Sequence, residues 1–216
     1  MHVKRPIREI LALAPVIPVL TITDAEAAVP LARALLAGGL PVLEVTLRSN
    51  AALAAIAAIR AELPHAIVGA GTVIDVDQLA AALKAGSQFI VSPGFSAALC
   101  AEGARQGAAM LPGVATPTEL MAALAAGLDT LKFFPAAQAG GAGMLRALAA
   151  PFPAVRFCPT GGIDVHSAAE YLALPNVLCV GMSSLAPPAA IAAGDYAAVT
   201  ALARQAAGLR PGRAPG

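Results

Sequence analysis

Charge is scarce in this chain. Only 12% of its 216 residues are Asp, Glu, Lys or Arg, with 14 basic side chains against 13 acidic ones and a formal net charge of +1. No block of like charge occurs, so the electrostatic footprint for a nucleic acid or an anionic membrane surface is missing. Cysteine is scarce as well. Cys100, Cys158 and Cys179 are odd in number and far apart, which excludes a disulfide framework and a CxxC motif. His2, His65 and His166 show neither HxH nor HExxH spacing, so neither a dedicated metal site nor a cofactor is expected.

Long apolar runs are also lacking, although 58% of the residues are hydrophobic and the mean hydropathy is +0.74. The uncharged stretch from Tyr171 to Gly194 is long enough to span a bilayer, but Pro175, Asn176, Gly181, Ser183, Ser184, Pro187 and Pro188 break it. At the N-terminus, Lys4, Arg5 and Arg8 precede an apolar run from Ile10 to Leu20, as in a signal peptide. Glu9, Pro15 and Pro18 interrupt that pattern, and no small-x-small cleavage site follows. The expected location is cytoplasmic, with no membrane partner.

What the sequence does contain is a repeated unit of strand then helix. Short apolar, β-branched runs recur at Val16–Ile22, Val42–Leu47, Ile67–Val73, Phe89–Ser92, Ala109–Val114, Leu131–Phe134, Val155–Pro159 and Val177–Val180. Ala- and Leu-rich stretches at helical spacing lie between them, among them Ala25–Ala37, Ala51–Leu63 and Ser96–Gln106. Asp24, Asp75, Ser96 and Asp164 stand where N-caps belong, and Thr116-Pro117-Thr118-Glu119 spells a capping box with proline at the first helical position. Gly38, Gly86, Gly107 and Gly127 mark helix ends.

Continuous apolar strands separated by helices imply parallel strands buried on both faces. Eight units favour an α/β fold built as a single (β/α)8 TIM barrel, with an extra N-terminal helix near Ile7–Ala14 covering its bottom. Residues 1–208 form this one domain, and 209–216 read as a disordered tail.

Charges inside strands are the informative exceptions: Glu44, Arg48, Lys132 and Arg156. Lys132 is one of only three lysines and sits in the middle of Thr-Leu-Lys-Phe-Phe-Pro. Desolvation disfavours an ammonium ion, and a neutral amine is what Schiff-base chemistry with a carbonyl substrate requires. With period two, Val42, Glu44, Thr46 and Arg48 share a face, and the polar three look into the interior. A carboxylate near a neutral amine suits general acid and base work, and a guanidinium nearer the mouth suits a substrate carboxylate. The structural alternative is an ion pair of Glu44 with Lys132 or Arg48. Arg156, at the start of its strand, reads as a plug at the bottom.

After strands seven and eight stand Pro159-Thr160-Gly161-Gly162 and Gly181-Met182-Ser183-Ser184. In barrels this is a common place for a phosphate held by backbone N–H groups and a helix N-terminus. Thr72 adds a hydroxyl at the same mouth, while Gly69-Ala70-Gly71 fails the dinucleotide pattern at Ile74.

Leu-Glu-Val-Thr-Leu-Arg (43–48), Val-Gly-Ala-Gly-Thr-Val (68–73), Lys-Phe-Phe-Pro-Ala (132–136) and Arg-Phe-Cys-Pro-Thr-Gly-Gly-Ile (156–163) together resemble the 2-keto-3-deoxy-6-phosphogluconate aldolases, a family that also includes 4-hydroxy-2-oxoglutarate aldolase activity. The resemblance runs from about Ile10 to Ala207. It implies a metal-free class I aldolase, a homotrimer, acting on a phosphorylated keto acid. It makes Lys132 the Schiff-base lysine and Glu44 the proton-transfer residue. It assigns Arg48, Thr72 and Thr160 to the pyruvate portion, Pro93 and Phe134 to the pocket walls, and Gly161, Gly162, Gly181 and Ser183 to the phosphate end. Many relatives read Gly-Gly-Ser-Trp where this chain has Gly181-Met182-Ser183-Ser184, and Met182 still offers its backbone N–H. Two alternatives stay open within the class, cleavage of 4-hydroxy-2-oxoglutarate or of the phosphogalactonate epimer. Outside it stands a non-catalytic barrel that binds phosphorylated metabolites.

Overall fold

The computed structural model describes residues 5–209. A short helix α1 (Ile7–Leu11) leads into strand β1 (Val16–Leu20). Then follow α2 (Ala28–Ala37), β2 (Val42–Thr46), α3 (Ala52–Glu62), β3 (Ile67–Gly71), α4 (Val76–Lys84), β4 (Ile90–Val91) and α5 (Ala97–Arg105). The second half runs through β5 (Met110–Leu111), β6 (Gly113–Val114), α6 (Pro117–Ala125), β7 (Thr130–Phe133), α7 (Gly141–Ala149), β8 (Arg156–Pro159), α8 (Ala168–Leu172), β9 (Val180–Met182), α9 (Pro188–Ala192) and α10 (Tyr196–Ala207). The fold is α/β, with every strand pairing parallel.

The strands form a six-stranded sheet, β5-β4-β3-β2-β1-β9, and a three-stranded sheet, β6-β7-β8. One residue, Pro112, separates β5 from β6. Proline has no N–H to give a ladder, but its carbonyl accepts from Lys132 N at 2.9 Å. At the other side, parallel bridges Phe157↔Val177 and Thr160↔Gly181 connect β8 with the approach to β9 and its first residues. The sheet is therefore strongly curled, and the C-terminal ends of all its strands face the same way.

All eight expected strand positions are occupied, with two differences. Pro112 splits the fifth position into β5 and β6. The eighth, expected at 177–180, is a strand only from Val180, because its ladder with β1 begins at the pair Val16↔Val180. The strands are buried on both faces. Outer-face residues such as Phe133 and Phe157 pack against the helices with their rings edge to face, 6.3 Å apart. Such a pair contributes about 0.5–1.5 kcal/mol beyond area burial. Ile10 and Leu11 of α1 join Ile17, Val42, Phe89, Leu111 and Cys179 in a second buried cluster.

Most helix signals act as expected. Asp75 accepts from Gln78 N, Ser96 from Leu99 N, and Thr116 with Glu119 closes the capping box of α6. Three differ. Asp24 caps a 3-10 turn at Ala25–Ala27, ahead of α2. Asp164 bonds the N–H groups of His166 and Ser167 in a turn, and α8 begins only at Ala168. After α2 the left-handed residue is Gly39 (φ 94°). Gly38 is needed for closeness instead, since a Cβ there would lie 2.3 Å from Ala203 Cβ on α10. Most of the expected tail, from residue 210 onward, lies outside the described residues. No helix among those residues is long and apolar enough to cross a membrane.

Candidate functional site

Glu44 is the middle residue of β2 and Lys132 the third of β7, strands that belong to different sheets. Strand alternation turns both side chains away from the helices, and they meet across the interior. Lys132 Nζ lies 3.2 Å from Glu44 Oε1, and the residues are 5% and 3% exposed. The structure thus contains the ion pair that the structural alternative proposed. A buried pair of this kind costs desolvation that the attraction only partly offsets, so it is weak evidence for stability and stronger evidence for a use.

The surroundings make room for the pair. Gly71 ends β3, where an added Cβ would stand 2.2 Å from Glu44 Oε1. Lys132 is paired in register with Cys158 on β8. Burial pushes the Cys179 thiol well above its ordinary value, with Cys158 and the Glu44 carboxylate acting in the same direction. The Lys132 ammonium sits 5.2 Å from the centre of the Phe134 ring, within cation–π range. Two residues beyond Glu44, the buried Thr46 donates to Leu20 O at 2.9 Å and contacts Thr21 Oγ1 at 3.0 Å.

The other expected site residues lie at the C-terminal ends of their strands, or just past them, on the same rim. Arg48 is exposed, two residues past β2, and half-buried Thr72 follows β3 directly. Thr72 has φ 59°, the left-handed region that a β-branched residue seldom occupies. Pro93 is half-buried after β4, its carbonyl so close to Gly113 that a Cβ there would stand 2.2 Å away. Phe134 follows β7, and Thr160, Gly161 and Gly162 follow β8. A Cβ on Gly181 would lie 2.2 Å from Thr160 Oγ1, so that glycine lets the threonine sit inward. Ser183 is exposed just past β9.

One expectation for this rim changes. Gly161 and Gly162 have φ of 105° and 70°, and they lead into a turn and a five-residue helix. Any anion there meets loop N–H groups rather than a long helix. The glycine loop is braced by the chain after β7, with Ala136 N donating to Thr160 O at 2.8 Å and Ala137 N to Gly161 O at 3.1 Å. At the opposite end of β8, Arg156 is half-buried, and its guanidinium donates to the carbonyls of Pro153 and Val155, each at 2.9 Å.

Sequence reasoning missed Thr21, Gly71 as the space beside Glu44, and the placement of Cys158 next to Lys132. The signal for the last was register, which a sequence without pairing information does not contain.

Residues 7–202 match the family described as KDPG and KHG aldolase. A relative in Escherichia coli named KHG/KDPG aldolase is 49% identical over 203 residues, covering 94% of this chain and 95% of its own. The crystal structure of 2-keto-3-deoxy-6-phospho-gluconate aldolase from Zymomonas mobilis superposes with a TM-score of 0.90 at 50% identity, covering 95% of this chain and 98% of that one. KDPG aldolase from Legionella pneumophila, 44% identical, has a TM-score of 0.93 over 95% of this chain and 100% of its own. Its crystal structure holds pyruvate captured at low pH as a covalent carbinolamine intermediate.

Proposed function

The chain belongs to the KDPG and KHG aldolase family, and from that premise we propose that it is a class I aldolase cleaving 2-dehydro-3-deoxy-6-phosphogluconate to pyruvate and D-glyceraldehyde 3-phosphate. The observation that carries this reading is the buried Lys132 amine 3.2 Å from the Glu44 carboxylate, ringed by the strand ends where α/β barrels do their chemistry.

The reaction follows from that geometry. The Lys132 amine adds to the substrate's keto carbon to give a carbinolamine, and loss of water leaves a protonated imine. Glu44, directly or through a water, takes the proton of the hydroxyl on carbon 4. The bond between carbons 3 and 4 then breaks, its electron pair moves into the imine, and the aldehyde leaves. Glu44 returns the proton to the resulting enamine carbon, and water hydrolyses the imine to release pyruvate and the free lysine. Glu44 also lies where it can move protons during carbinolamine formation. Arg48, Thr72 and Thr160 hold the pyruvate carboxylate end, with Pro93 and Phe134 shaping the pocket. The Gly161 and Gly162 loop, Gly181 and the Ser183 hydroxyl take the phosphate.

The finer architecture belongs to the same proposal. The two sheets, joined at Pro112 and by the β8–β9 bridges, close as a (β/α)8 barrel with α1 at its base. The protein works in the cytoplasm as a homotrimer, which light scattering of the purified protein tests. The Escherichia coli relative's name also includes KHG, so 4-hydroxy-2-oxoglutarate is the second substrate to assay.

Borohydride reduction in the presence of pyruvate, followed by peptide mass spectrometry, tests the central step. A single reduced adduct on the peptide carrying Lys132 is expected, absent in Lys132→Met together with cleavage activity. Unmodified Lys132 in an enzyme that still cleaves the substrate overturns the imine mechanism.

A further inference from the structure

The ladder between β1 and β2 ends at the pair Leu20↔Val45. Where it stops, side chains continue it. Thr46 Oγ1 donates to Leu20 O at 2.9 Å, and Ser49 Oγ donates to Ile22 O. Counting hydrogens fixes the direction of one more contact. Thr46 spends its only hydroxyl hydrogen on Leu20 O, so in its 3.0 Å contact with Thr21 Oγ1 the Thr21 hydroxyl is the donor. On the opposite flank Leu47 N donates to Gly71 O at 2.8 Å, which ties the same segment to the end of β3.

Ser49 makes its bond to β1 instead of capping the helix that follows. Ser and Asn are preferred capping residues, and Ser49 and Asn50 stand just ahead of α3. That helix nevertheless starts from Ala51 with no side-chain cap. A departure from local preference of this kind is expected where function sets the geometry.

Arg48 lies between these anchors. Its side chain is exposed, and its guanidinium makes no hydrogen bond or ion pair among the described residues. An arginine without a side-chain partner keeps its rotamer freedom, so the region its head group reaches is set by its backbone. That backbone is held one residue earlier, at Leu47, and one residue later, at Ser49. Placement of this kind matters, since a displacement of about 1 Å in a binding group can cost on the order of a hundredfold in rate.

We infer that Thr46 and Ser49 are positioning residues for the carboxylate end of the keto acid, a role that rests on the assignment of Arg48 to that carboxylate. They act through Arg48 and do not touch the substrate. Thr46 is buried with its hydrogen committed to Leu20 O, and the Ser49 hydrogen is committed to Ile22 O. Together they fasten the exit of β2 to the exit of β1, so that the arginine is presented to the rim from a fixed point.

The test separates binding from chemistry. The binding readout is the pyruvate concentration that half-saturates borohydride trapping at Lys132, and the chemical readout is kcat for cleavage. Ser49→Ala is expected to raise the half-saturating concentration about three- to tenfold, the range that one hydrogen bond supports, and to leave kcat within about twofold. Arg48→Ala should raise it about ten- to a hundredfold, as loss of a charge-assisted hydrogen bond does. Ser49→Ala added to Arg48→Ala should then change nothing further, because the serine has no arginine left to place. Thr46→Val is expected to follow the same pattern, and the Ser49 cycle decides the matter if that buried variant does not fold. Wild-type half-saturation in Ser49→Ala, the same loss with and without Arg48, or a fall in kcat alone overturns the positioning role. Arg48→Ala with wild-type half-saturation overturns the assignment of Arg48 instead, and absence of any adduct on Lys132 overturns the aldolase reading.

Discussion

Lys132 and Glu44 touch across the interior of the molecule at 3.2 Å, although 88 residues separate them and their strands lie in different sheets. Backbone pairing cannot bring them together, so only inward alternation on both strands does. Glu44→Gln keeps a carbonyl oxygen toward the ammonium and removes the group that exchanges protons. A fall in kcat of about 10²–10⁴, the usual contribution of a general acid–base group, is expected. The borohydride adduct with pyruvate should still form, more slowly. A variant with kcat near the wild-type value excludes Glu44 as the proton carrier.

Gly71→Ala tests the space beside that carboxylate. The added methyl would stand 2.2 Å from Glu44 Oε1 and 2.7 Å from its Cγ, far inside contact distance, so the carboxylate must turn away or β3 must shift. Overpacking of this kind costs about 1–3 kcal/mol. The expected signature is a drop in kcat much larger than the accompanying change in KM, in a protein that still folds. Calorimetry and steady-state kinetics on one preparation separate the two effects. Unchanged kcat shows that the Glu44 position is not critical to within the shift imposed.

What the sequence reveals of this molecule, and what it hides, divides along physical lines. The strand positions and the two buried charges of the proposed site are legible because each is a local contrast. An apolar run stands between capped helices, and a charge stands where only Val or Leu belongs. Contacts between strands are not local. Nothing near Cys158 announces that it lies level with Lys132, or near Thr21 that its hydroxyl meets Thr46. Glycines mislead for a related reason. Gly38 and Gly39 are adjacent and identical in type, yet one is required by the approach of α10 and the other by a left-handed backbone. Asp164 caps a turn rather than a helix because α8 starts only at Ala168.

Thr72 offers a prediction with an unusual sign. Its φ of 59° places a β-branched residue in the left-handed region, a conformation that costs about 1–3 kcal/mol. Thr72→Ala keeps a Cβ there, whereas Thr72→Gly removes it. The glycine variant is therefore expected to be the more stable of the two by about 1 kcal/mol, the reverse of the usual order in regular structure. Both should lose kcat/KM, because both lack the hydroxyl assigned to the pyruvate end. Urea titration gives the stability order, and an alanine variant that proves more stable removes strain as the account of this residue.

The start of α6 yields a prediction with a pH dependence. Glu119 Oε2 accepts from Ala115 N at 2.8 Å and Thr116 N at 2.9 Å, and Thr116 Oγ1 accepts from Glu119 N at 3.3 Å. The Ala115 N–H, followed by the Thr116 hydroxyl and N–H, holds the Glu119 carboxyl below its ordinary value against the opposing effect of partial burial. Because the folded state favours the ionised form, its stabilisation is present above the unfolded value of about 4.3 and disappears as pH falls through the lower folded one. Glu119→Ala should cost about 1 kcal/mol at pH 7, as loss of a helix cap does. That lowers Tm by roughly 2–4 °C in a chain of this size. Below about pH 4 the wild-type curve should approach that of the variant, since protonation removes the same hydrogen-bonded carboxylate. A Tm difference independent of pH assigns the loss to packing of the side chain and not to its charge.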